Sequence, residues 1–104
     1  SDLPDFDKAM MSLNIATVRD KMGDHAGALA SYTRALEYEG RTSSYFVAQQ
    51  HAAYLAKLGR YEEGVSAYQA LVERADVKPE DREMFVANID TLRKLAGRDE
   101  REVR

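Results

Sequence analysis

The sequence predicts an all-α fold of five helices, paired as antiparallel helix-turn-helix units that repeat and stack as an α-solenoid. Three observations carry that reading. The phrase N-I-x-T-[V/L]-R-x-x-x-G occurs at Asn14 to Gly23 and again at Asn88 to Gly97, with a weaker copy at Gln50 to Gly59. The copies begin 36 and 38 residues apart, the period of one supersecondary unit that cannot cover its own apolar face and so must stack. Apolar residues recur every three or four positions rather than every two, and glycine and proline stand only at joints or at small-residue positions, which leaves no segment that reads as a strand.

Pro4, with Asp5 and Asp7 behind it, opens helix one, because proline fits the first helical turn and carboxylates favour the positive end of the dipole. That helix runs to about Met22, with Met11, Ile15, Val18 and Met22 as its expected core stripe. Gly23-Asp24 ends it. His25 to Glu39 forms the antiparallel mate, with Ala28, Leu29, Tyr32, Ala35 and Leu36 at helical spacing. Gly40 to Ser43 breaks the pattern, and the hydroxyl of Ser43 or Ser44 is placed to cap helix three, which continues to Leu58. After Gly59-Arg60, helix four spans Tyr61 to about Ala75 and repeats the apolar set of helix two with Gly64, Val65, Tyr68, Leu71 and Val72. Asp76 to Lys78 connects to helix five, opened by Pro79, Glu80 and Asp81 and carrying Phe85, Ile89, Leu92 and Ala96 before Gly97. The domain is expected over residues 1–97, and residues 98–104 read as a charged tail, either an extension of the last helix or the first turn of another.

Composition excludes several classes of function. The 104 residues include no cysteine, so neither a disulfide framework nor a thiolate metal site is available, and the redox compartment stays open with the cytoplasm as the default expectation. Fifteen basic against eighteen acidic residues, net −3 and mixed along the chain, supply no one-sided positive field for nucleic acid. No apolar run approaches the roughly 20 residues that cross a bilayer, so a membrane is not an expected partner. Histidine occurs only as His25 and His51, and without company for a zinc site or a nucleophile relay each reads as structural. No enzyme activity, metal or cofactor is therefore expected.

These residues resemble the tetratricopeptide repeat, a helix-turn-helix unit of 34 residues with a glycine between its helices and small and aromatic residues at fixed places. Gly23, Ala28, Tyr32 and Ala35 take the family's glycine, first alanine, aromatic and second alanine positions in one unit, and Gly59, Gly64, Tyr68 and Leu71 stand there in the next. Ala16 and Ala52 occupy the small position of the first helix. Ser12 stands where the family prefers tryptophan or similar bulk, and the closing proline is replaced by Gly40 or Asp76. The resemblance covers repeats at about 8–41 and 44–77, with helix 79–96 as a cap or as an interrupted third repeat.

The resemblance implies a module whose first helices line a concave groove for a peptide or partner helix. The groove positions map to Met10, Leu13, Asn14, Thr17 and Lys21 in helix one, to Phe46, Gln49, Gln50, Ala53 and Lys57 in helix three, and to Met84, Asn88, Thr91 and Lys94 in helix five. An amide recurs at one rung, Asn14, Gln50 and Asn88, and a carboxamide can both donate to and accept from an extended backbone. The alternative use of that amide is a bond to a neighbouring helix. Leu13 and Thr17 stand where the family's carboxylate-binding clamp would place a cation and an amide, so that clamp is incomplete. A second reading makes the chain a structural segment of a longer superhelix, or a self-associating subunit in which end faces dock like to like.

Overall fold

The structure, a computed structural model, describes residues 4–103. Among them it shows five α-helices and no strand: α1 (Asp5–Lys21), α2 (His25–Glu39), α3 (Phe46–Lys57), α4 (Tyr61–Val72) and α5 (Pro79–Val103). Ser1, Asp2, Leu3 and Arg104, at the edges of the expected domain and tail, lie outside the described residues. The chain divides into two compact units, one up to Val47 and the other from Ala48 onward.

In the first unit, Pro4 is the N-cap of α1, Asp5 and Asp7 lie in its first turn and Arg19 and Lys21 in its last, each charge complementing the end of the dipole it occupies. Gly23 closes the helix at φ 81°. Its N–H donates to the Asp20 carbonyl at 2.9 Å and the Asp24 N–H donates to the Arg19 carbonyl at 2.9 Å, the paired bonds of a left-handed glycine stop. Asp24 then caps α2, its carboxylate accepting from the Gly27 N–H at 2.9 Å. The α1–α2 contact is built from small residues. Ala9, Ser12, Leu13 and Ala16 of α1 and Ala28, Ser31, Tyr32 and Ala35 of α2 are buried.

That face of α1 differs from the expected one. Met11, Ile15, Val18 and Met22, read from the sequence as the core stripe, are 54%, 47%, 56% and 76% exposed. Alanine and serine bring two backbones close enough for tight packing, so the small face meets α2 and the bulkier stripe is left outside.

Past α2, Glu39 is buried at 3% exposure and serves the start of α3. Its Oε2 accepts from the Val47 N–H at 2.6 Å and from the Ser44 hydroxyl at 3.1 Å. Ser44 in turn accepts from the Phe46 N–H at 3.2 Å, so the Ser44 hydroxyl caps the start of α3. Arg41, just beyond the helix, lies 3.4 Å from Asp5 and over the Tyr38 ring.

In the second unit Gly59 repeats the turn of Gly23, at φ 78° with Gly59 N–H to Ala56 and Arg60 N–H to Leu55. Gly64, Tyr68 and Leu71 of α4 and Phe85, Ile89 and Leu92 of α5 are buried, and the Tyr68 and Phe85 rings lie 5.7 Å apart. Two boundaries move. Helix α4 ends at Val72 with Glu73 as its C-cap, short of Ala75, and Arg82 satisfies carbonyls left free there: its Nε donates to Val72 O at 3.2 Å and its Nη2 to Arg74 O at 2.7 Å. Helix α5 does not stop at Gly97 but continues to Val103. Gly97 has no positive φ and therefore makes no left-handed stop. The following Arg98, Asp99, Glu100 and Arg101 are compatible with exposed helix, so the expected tail is an extension of α5.

Candidate functional site

The expected groove residues fall out differently in each helix. On α1, Asn14, Thr17 and Lys21 share one exposed strip and Met10 at its upper end is half-buried. Leu13 does not belong to that surface: it is 6% exposed and packs in the small-residue face toward α2. Thr17 spends its hydroxyl on its own helix, donating to the Leu13 carbonyl at 3.2 Å.

On α3, Phe46, Ala53 and Lys57 are exposed while Gln49 and Gln50 are half-buried. The Lys57 ammonium lies 5.9 Å from the centre of the Tyr54 ring, so part of its charge is already engaged.

On α5, Met84 and Thr91 are exposed and Asn88 is half-buried. The Asn88 carboxamide faces the Tyr68 side chain of the neighbouring α4. Burial raises the Tyr68 pKa above the usual phenol value, and the Asn88 carboxamide works against that rise. Lys94 ion-pairs with Asp90 at 3.0 Å. It stands one residue off the register of Lys21 and Lys57, which in α5 belongs to Leu95.

Both histidines are engaged. His25 Nδ1 lies 3.0 Å from Asp20 in the α1–α2 joint. His51 has its pKa lowered from 6.5, first by burial and further by Arg60, with Glu63 opposing. A histidine held neutral in the fold takes up its proton sooner when unfolded. Its contribution to stability is thus complete above pH 6.5 and lost as the pH falls from there through the lowered folded value. Between pH 7.5 and about 5 the melting temperature of the wild type is expected to fall further than that of His51→Gln; parallel curves for the two proteins would remove this role. Among the described residues no three His, Cys, Asp or Glu side chains gather to hold a metal, and no helix is long and apolar enough to cross a membrane.

A cleft of about 180 Å³ lies between α1 and α2, lined by Ser12, Ile15, Arg19, Ala30, Ser31 and Arg34. Arg19 is fixed there, its Nη1 donating to the Ser31 hydroxyl at 2.8 Å and to the Gly27 carbonyl at 3.3 Å. The cleft has two guanidinium groups and no carboxylate in its wall. Its signal in the sequence was the arginine shared by both copies of the repeated phrase, Arg19 and Arg93. Comparison with protein-family models, with curated proteins and with solved structures gave no match to this chain.

Proposed function

We propose that the chain is a non-catalytic protein-interaction module of the tetratricopeptide type, its helix-turn-helix units arranged as an α-solenoid and its first helices receiving a peptide or partner helix. The observation that supports this reading most is the strip on α1, where Asn14, Thr17 and Lys21 are exposed together, one turn apart and with the Asn14 carboxamide open to solvent. A carboxamide flanked by an ammonium presents one donor–acceptor pair and one cation, a set suited to the backbone and the acidic groups of a peptide. The repeated Gly23 and Gly59 turns and the small-residue face between α1 and α2 also support the assignment to a repeat of this type.

Asn14 and Asn88 separate the binding role of the amide from its structural one. With a peptide ligand selected from a displayed library, calorimetry is expected to show Asn14→Ala weakening binding about 5- to 10-fold, with the melting temperature unchanged. Asn88→Ala, at a half-buried position facing Tyr68, is expected to do the reverse, lowering stability by about 1 kcal/mol with binding unchanged. Undiminished affinity in Asn14→Ala would end the proposal for this strip.

A further inference from the structure

We propose that the outer face of α1 docks an amphipathic helix supplied by a partner protein, one that carries a carboxylate beside its apolar stripe. The surface consists of Met11, Ile15, Val18 and Met22, all exposed, bordered by the cleft that Arg19 and Arg34 line. These residues follow at intervals of four, three and four, so they form one strip along the helix. A strip of this kind is on the order of 400 Å², comparable to the largest apolar patch of a typical monomer, a patch that is often functional.

The chain itself shows what such a face accepts. In the second copy of the repeated phrase the equivalent residues are Phe85, Ile89, Leu92 and Ala96 of α5, and the first three of these are buried. Their cover includes a helix: Phe85 stacks near Tyr68 of α4, and the Leu92 methyl lies against Gly64. Arg93, the counterpart of Arg19, lines a surface pocket together with Glu62 of α4 and Glu100. A helix with an apolar face and a glutamate in its first turn therefore sits against the same arrangement of side chains in the second unit. Around Arg19 and Arg34 no acidic group lines the cleft, so the missing charge has to come with the partner. A second α1 laid antiparallel on this face would set arginine edge against arginine edge, which favours an acidic helix over a second copy. This surface is distinct from the Asn14 strip, and either can fail without the other.

The test uses the intact chain and a fluorescent, hydrocarbon-stapled peptide of residues 60–75, the chain's own α4 sequence, followed by anisotropy. Saturable binding is expected in the micromolar range. Ile15→Glu, a change on an exposed face with helicity checked by circular dichroism, is expected to weaken it at least 10-fold, and Val18→Lys serves if Ile15→Glu does not fold. Arg34→Gln, or the peptide with Glu62→Lys, is expected to lose about 5- to 10-fold at low salt, a difference that shrinks as salt is added. No saturable binding, equal binding to the Ile15 and Val18 variants, or equal binding of the charge-reversed peptide overturns the proposal. Self-association of the wild type in sedimentation, abolished by Ile15→Glu, would assign the face to a second copy and overturn it as well.

Discussion

Glu39→Ala is expected to destabilise the protein by about 2 to 3 kcal/mol, the scale of hydrogen bonds to a buried charged group. In a chain of this size that is a fall of roughly 10 to 20 °C in melting temperature. The cause is the position of the carboxylate: buried, it accepts from the Val47 N–H at 2.6 Å and from the Ser44 hydroxyl at 3.1 Å. Removing it leaves a donor at the start of α3 without an acceptor, away from water. Helix N-termini favour a negative charge, so Glu39→Gln, which keeps the shape and one acceptor, is expected to lose about half as much. Thermal melts of the three proteins at one pH decide the matter. If Glu39→Ala melts with the wild type, the buried carboxylate does not hold the α2–α3 joint.

Gly64→Leu is the second large effect, about 1 to 3 kcal/mol through overpacking. A Cβ at this position would lie 3.0 Å from Leu92 Cδ1 and 3.6 Å from both the Ala52 carbonyl oxygen and the Ala56 nitrogen. Two of these three neighbours are backbone and cannot yield. Alanine is a different case, since only the tip of the flexible Leu92 side chain must move and the helix gains up to about 1 kcal/mol on losing a glycine. Gly64→Ala is accordingly expected to lie near neutral. A leucine variant with an unshifted melting curve would place this glycine against open space and break the register assigned to α4.

Five helices and their joints were legible in the sequence because each is marked by local chemistry. Gly23 and Gly59 take the positive φ that a glycine stop requires, Ser44 caps α3, and Pro79 opens α5. What could not be read was which of two apolar faces of α1 turns inward. Met11, Ile15, Val18 and Met22 outrank Ala9, Ser12 and Ala16 in hydrophobicity, yet close approach between helices selects for small side chains. The same blindness placed Leu13 in the groove. Glu39 and Arg82 were missed for another reason: their roles depend on backbone groups eight and ten residues away across a joint, and no periodicity encodes that. The amide rung was legible as a pattern but not in its use, since Asn88 is half-buried facing Tyr68 while Asn14 stays exposed.

The hold of Arg82 on the carbonyls of Val72 and Arg74 has a kinetic consequence. One guanidinium on the first turn of α5 supplies the donors that the last turn of α4 lacks, so neither end can fray without releasing the other. Local opening at this corner is then a concerted event, and the backbone amides on both sides of the connector share one protection against exchange with solvent instead of two independent ones.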